Sequence, residues 1–212
     1  MQNDVPGLEK ETVPGIVIGR LPIYLRALAM LEGEGKEVTS SQELGTKLGI
    51  SSAQIRKDLS HFGEFGKQGT GYKISFLQDR LKAILNLKKI WPVILVGFGD
   101  LGHALVHYDR FPDKGFEIKA IIDSDAQKIG NQINGLTIQD SQHMTEIIQE
   151  NDIQIAILAV PPRVAQSVSE ALVKAGIKAI LNYAPITLFL PPNINVQNID
   201  PVIRLQQMTY YL

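Results

Sequence analysis

The stretch that most constrains this chain runs Val93-Ile94-Leu95-Val96-Gly97-Phe98-Gly99-Asp100-Leu101-Gly102. An apolar run delivers the backbone into Gly97-x-Gly99-x-x-Gly102, and a helix-compatible segment follows it. Strand, glycine turn and helix in that order are the start of a parallel α/β sheet. The turn sets backbone N–H groups and the positive end of a helix dipole where a pyrophosphate can sit. Gly97 permits the tight turn, Gly99 lets a ligand approach the backbone, and Gly102 lets the helix pack closely on the strand. A second strand, predicted over 116–122, ends in Asp123, 21 residues after Gly102. A carboxylate near that spacing hydrogen-bonds the adenosine ribose hydroxyls, and its charge repels a 2′-phosphate, which favours NAD over NADP.

The alternation continues to the end of the chain. A helix is predicted over 145–150 and a buried strand over 153–160, broken by Pro161-Pro162. A helix over 163–175 ends at Gly176, a strand covers 177–181, a last strand 194–199 and an apolar helix 201–211. This pattern specifies one doubly wound, Rossmann-like sheet from residue 90 onward, with no room for a separate substrate domain.

About ninety residues precede that sheet, and they read differently. A helix is expected to begin near Pro22, because proline suits the first helical position, with Ile23, Leu25, Leu28 and Leu31 as its apolar side and Gly33 and Gly35 at its end. Ser40 with Glu43 and Ser51 with Gln54 are capping boxes that open two short helices, joined through Gly49-Ile50-Ser51. Such a pair describes a helix-turn-helix. The second helix starts at Ser52 and is expected to run to Phe62. Ile55, Leu59 and Phe62 face inward, while Gln54, Arg56, Lys57, Ser60 and His61 lie away from that stripe. Arginine and lysine there can reach guanine edges or phosphates, and glutamine can read adenine. Four glycines between Gly63 and Gly71, with Lys67, Gln68 and Gly69 at the tip and Tyr72 after it, suggest a wing hairpin that can enter a minor groove. Ser75 is expected to cap a linking helix over 76–89. A helical hairpin that binds only protein would share the apolar periodicity, though not the basic face and the wing.

Net charge is −1 over 212 residues, which by itself does not point to nucleic acid. The halves differ. Residues 1–90 carry 13 Lys and Arg against 10 Asp and Glu, residues 91–212 carry 8 against 12, and between Ser51 and Lys89 the count is 8 to 3. A local basic face of this kind is what steers a protein to phosphate. With no cysteine there is no disulfide and no thiolate metal site, so redox sensing would have to pass through a bound ligand. His61, His103, His107 and His143 form no metal-ligand pattern, and no metal is expected. No apolar run approaches a membrane span and no secretory pattern opens the chain, so a cytoplasmic protein is expected.

Taken together, Arg20-Leu21-Pro22-Ile23-Tyr24-Leu25-Arg26, Thr39-Ser40-Ser41, Gln54-Ile55-Arg56-Lys57-Asp58-Leu59-Ser60, the loop 97–102 and Leu181-Asn182-Tyr183-Ala184-Pro185 resemble the Rex family of redox-sensing transcriptional repressors. The resemblance implies a winged helix-turn-helix domain (1–89), a Rossmann NAD(H)-binding domain (90–199) and a C-terminal helix (200–212) exchanged between the subunits of a homodimer. It implies a protein that is not an enzyme. Such a protein holds palindromic double-stranded operator DNA in the NAD+ or free state and releases it when NADH binds. Arg56 and Lys57 would belong to the recognition helix, and Gly69 and Tyr72 to the wing. The nicotinamide would lie near Tyr108, Val160-Pro161 and Ala184-Pro185. A pocket so lined offers little to a desolvated cation and favours the neutral reduced ring. Arg26 and Asp200 occupy the positions of an interdomain pair that would form in only one of the two states. Two positions depart from the family pattern. Gln68 stands where the wing usually carries arginine, leaving Lys67 to supply that contact, and Asp100 stands inside the glycine loop. An NAD-dependent oxidoreductase and a CoA-binding module share parts of the pattern. The first lacks a persuasive acid/base constellation, and the second shares the glycine loop and the Asn-x-Ala-Pro end.

Overall fold

The computed structural model describes residues 13–65 and 70–212. Two compact units divide the chain between Lys88 and Lys89.

The first unit comprises α1 (Gly15–Gly33), β1 (Val38–Thr39), α2 (Ser41–Leu48), α3 (Ser52–Ser60), β2 (Tyr72–Lys73) and α4 (Ile74–Ile84). Its core is built by Val17, Leu21, Tyr24, Leu28 and Leu31 of α1 against Leu44, Ile55, Leu59, Ile74, Leu77 and Leu81. Helix α1 starts about two turns before the position expected from Pro22, which lies inside it. Pro22 and Ile18, whose carbonyl loses its intrahelical donor, are both exposed, so water can replace the missing bond. Ile23 is 37% exposed, and Leu21 and Tyr24 take the core positions instead. Both serine caps form: Ser40 Oγ accepts from Glu43 N at 3.1 Å and Ser51 Oγ from Gln54 N at 3.2 Å. Gly49 closes α2 with φ +66°. Gly45 is required for the turn, because a Cβ there would lie 2.4 Å from the Ile50 carbonyl oxygen. Helix α3 ends at Ser60, short of Phe62. Helix α4 opens at Ile74 after Lys73, without a side-chain cap from Ser75, and ends at Ile84 rather than Lys89. Strand β2 pairs antiparallel with β1, Thr39 opposite Tyr72. The wing tip, with Lys67, Gln68 and Gly69, lies outside the described residues.

The second unit runs β3 (Trp91–Val96), α5 (Asp100–Val106), α6 (Arg110–Asp113), β4 (Phe116–Asp123), β5 (Gln132–Ile133), β6 (Leu136–Asp140), α7 (Met144–Glu150), β7 (Ile155–Leu158), α8 (Pro162–Ala175), β8 (Ala179–Asn182), β9 (Asn195–Asn198) and α9 (Pro201–Thr209). The sheet order is β5-β6-β4-β3-β7-β8-β9, parallel except for the β5–β6 pair. Both faces of the central strands are buried: Ile94 and Val96 pack toward α7 and α8, Val93 and Leu95 toward Phe98 and Leu105. This explains why β3 and β7 read as continuous apolar runs. The order reverses between β3 and β7, and in open α/β sheets ligands bind outside the carboxyl ends of the strands at such a point.

Candidate nucleotide and DNA sites

The glycine loop sits at that switch point. Gly97 has φ +97°, and a Cβ there would meet the Ala159 carbonyl oxygen at 2.4 Å and Val160 Cγ1 at 3.0 Å. A Cβ on Gly102 would lie 2.1 Å from the Gly97 carbonyl oxygen, so α5 can cross β3 only because that side chain is absent. Gly99 differs: among the described residues nothing lies within 4 Å of its Cβ direction, and its φ of −84° is open to any residue. Gly99 is therefore free of the packing that fixes Gly97 and Gly102. Asp100 and Leu101 open α5 and are exposed, whereas Phe98 is buried.

Asp123 ends β4 beside this loop. One carboxylate oxygen accepts from Phe98 N at 2.7 Å and the other from Asp125 N at 2.9 Å, with Lys128 Nζ 3.5 Å away. Burial alone would raise its pKa, but the backbone donors and Lys128 outweigh burial and hold it below the usual carboxylate value. The acid therefore anchors the glycine loop through Phe98 while staying ionised. Lys128 escaped sequence reading, which stopped at Asp123; its signal is a lysine three residues from Asp125.

The loops after β7 and β8 lie next along the sheet. Val160 borders Gly97, Pro161 caps α8, and Ala184 is buried while Pro185 is exposed. Asn182 is fully buried and shapes the β8 loop. Its Nδ2 donates to the Ala184 and Ile186 carbonyls, each at 3.1 Å, and its Oδ1 accepts from Ala184 N at 3.0 Å. The sequence signal for this role is a polar residue closing an apolar strand. Tyr108 is 49% exposed and stacks edge-on against Phe111. Burial, then the neighbouring Tyr108, pushes the Tyr183 phenol up.

In the first unit, Arg56, Lys57 and Ser60 are exposed on α3, and Ser52 and Gln54 are half-buried. Arg56 donates to Ser41 Oγ at 3.0 Å, which ties α3 to the start of α2. Ser60 turns its hydroxyl back to the Lys57 carbonyl at 2.8 Å. Tyr72 is half-buried. Burial raises its phenol, with the Arg56 charge opposing. Asp58 was read only as part of the recognition motif, yet its side chain is fully buried and takes bonds from Arg20, Tyr24 and Gln54. Its place on the Ile55–Leu59 side of α3 is the signal: an acid on an apolar stripe demands partners. Arg26 is exposed on α1, and Asp200 caps α9, accepting from Val202 N at 2.9 Å; the two belong to different units. Among the described residues no group of three or more metal-ligating side chains occurs, and no helix is long and apolar enough to cross a membrane.

A helix-turn-helix unit with an exposed basic helix, followed by a Rossmann-type unit with an open glycine loop, defines a ligand-responsive DNA-binding regulator. Family models agree with this division. The model described as "Putative DNA-binding protein N-terminus" matches residues 12–60, and the CoA binding domain model matches residues 88–186. The redox-sensing transcriptional repressor Rex of Chloroflexus aurantiacus is 53% identical, over 94% of this chain and 94% of that protein. Rex of a Roseiflexus species is 50% identical, over 95% and 92%. The solved structure of RSP, a Rex-family repressor, covers 94% of this chain and 93% of its own at 37% identity, with a TM-score of 0.86. RSP in complex with beta-NAD+ and operator DNA aligns with a TM-score of 0.89 at 38% identity, covering 94% and 92%. The chain belongs to the Rex family of redox-sensing transcriptional repressors.

Proposed function

We propose that this protein binds operator DNA through α3 and the wing, and that NADH bound at the glycine loop of the Rossmann unit makes it let go. The reading rests on one observation above others: nearly the whole chain superposes on RSP holding both beta-NAD+ and operator DNA. RSP is also solved with beta-NADH, so one family fold accepts both cofactor forms. The relatives are redox-sensing transcriptional repressors.

In this reading Gly97, Phe98, Gly99, Asp100, Leu101 and Gly102 hold the pyrophosphate and Asp123 the adenosine ribose. Tyr108, Val160, Pro161, Ala184 and Pro185 surround the nicotinamide. Ser52, Gln54, Arg56, Lys57 and Ser60 face the major groove, with Lys67, Gln68, Gly69 and Tyr72 at the wing. The protein works as a cytoplasmic homodimer. Helix α9 buries none of its residues, with Val202, Ile203, Leu205 and Met208 at least half exposed, and a partner's surface would cover them. Arg26 and Asp200 form the pair that tells the two states apart. A ligand shifts such an equilibrium only by its differential affinity for the two states, and an apolar nicotinamide pocket supplies that difference by disfavouring the cationic oxidised ring.

The match to a CoA binding domain model favours a second reading, in which the loop holds coenzyme A. Asp123 argues against it, since an ionised acid at the ribose suits free hydroxyls and repels a ribose phosphate. A thermal-shift comparison separates the two readings. NADH should raise the melting temperature where CoA does not, and the reverse result would overturn the assignment.

A further inference from the structure

The carboxylate of Asp58 lies where α1 and α3 meet, and all four of its acceptor positions are filled. Oδ2 accepts from Arg20 Nε at 2.5 Å and from the Tyr24 hydroxyl at 2.5 Å. Oδ1 accepts from Arg20 Nη2 at 2.7 Å and from Gln54 Nε2 at 2.7 Å. Arg20 thus grips both oxygens in a fork that fixes the plane of the carboxylate. Tyr24 is 1% exposed, so the assembly cannot be exchanged for water without opening the core. Three of the four bonds come from α1 and secure the acid. The fourth restrains a side chain of the helix that faces DNA.

That fourth bond has a consequence for Gln54. An amide can ordinarily turn over, exchanging its oxygen and nitrogen. An ionised carboxylate only accepts, so Gln54 must present Nε2 to it and Oε1 away from it. Among the described residues nothing donates to that Oε1. The outward edge of Gln54 is therefore one acceptor with one remaining N–H beside it. Adenine offers the complement, an N6 donor next to an N7 acceptor; guanine has two acceptors there and cytosine a lone donor.

We propose that Asp58 is a positioning residue for operator readout: held by Arg20 and Tyr24, it locks the Gln54 amide in the orientation that selects adenine in each half-site. This rests on the reading above in which α3 enters the major groove. It gives the buried Arg20–Asp58 pair a task in specificity and takes Arg20 out of the set of cations free to contact phosphate.

The test uses the full-length protein and duplexes enriched by it from a randomised pool, with each base pair of the enriched site then replaced in turn. Wild type should favour adenine at one position per half-site by about 5- to 100-fold. Gln54→Met, which keeps the shape and removes the amide, should lose that preference. Asp58→Asn should lose the same preference at the same position, and add no further loss in the Gln54→Met background. The salt slope should be unchanged in Gln54→Met, because no phosphate contact is removed. If Asp58→Asn does not fold, Tyr24→Phe serves, since it removes one anchor without stranding a charge; it should lose about threefold of the same preference. Uniform weakening on every duplex with base preference intact would reduce Asp58 to a structural residue and overturn the proposal. Retention of full base preference by Gln54→Met would overturn it at Gln54. A wild type that enriches no duplex at all would instead contradict the DNA-binding reading on which it rests.

Discussion

At the scale of single residues, the glycine loop separates two roles that look alike in the sequence. Gly102 and Gly99 stand three residues apart, yet a Cβ on Gly102 collides with backbone while one on Gly99 meets open space. Gly102→Ala should therefore lower stability by about 1–3 kcal/mol and weaken NADH binding with it. Gly99→Val should melt like wild type while losing NADH affinity on the order of tenfold or more, giving a repressor that stays on DNA when NADH is added. Paired thermal denaturation and calorimetric titration of the two variants check this contrast. Asp58 supplies a pH signature. Burial alone would raise its pKa, but the bonds from Arg20, Tyr24 and Gln54 take it from 3.8 down to about 2. A carboxylate depressed on folding stabilises above its unfolded pKa and loses that contribution as pH falls through the folded value. The stability difference between wild type and Asp58→Asn should be flat above about pH 5 and shrink by about 2 kcal/mol as pH approaches 2. Denaturant titrations across that range decide it, and a difference independent of pH would show that the carboxyl charge is not what the network holds.

At the scale of elements, what the sequence made legible depends on whether the signal was local. The caps at Ser40 and Ser51, the glycine stop at Gly49 and the strand–loop–helix unit from Trp91 are local, and they form as read. Pro22 misled because a proline tolerated at a helix start is also tolerated inside an exposed helix face, where water takes over the orphaned carbonyl. Strand β2 pairs with β1, a partner more than thirty residues away that local pattern cannot reveal. The β5–β6 hairpin was missed although Asn134-Gly135 with φ +50° and +79° is a strong turn signal; the strands it joins are too short to show alternation. The site was legible where a backbone motif defines it and illegible where a side chain bridges elements, as Asp58 and Asn182 do. Helix α3 carries its own prediction. Lys57→Ala should weaken binding to operator-length duplexes, lower the slope of log affinity against log salt by about 1, and leave NADH affinity unchanged. An unchanged slope would remove Lys57 from the phosphate contacts.

At the scale of the whole molecule, the account joins two units, each with a site of its own, into one switch. A two-fold dimer reads half-sites spaced by whole turns of DNA, so a modest change in the spacing of two α3 helices suffices to break register. The unburied apolar side of α9 is the element proposed to hold the dimer, and removal of residues 201–212 should yield a monomer by sedimentation with much weaker operator affinity. A truncated chain that remains dimeric would place the interface elsewhere. The central claim is that the reduced cofactor sets the grip on DNA, and one titration addresses it directly: operator affinity at fixed salt, measured against NADH and against NAD+. The account predicts that NADH at saturation releases the DNA while NAD+ at the same occupancy leaves it bound. Equal responses to both forms, or a grip that ignores saturating NADH, would contradict it.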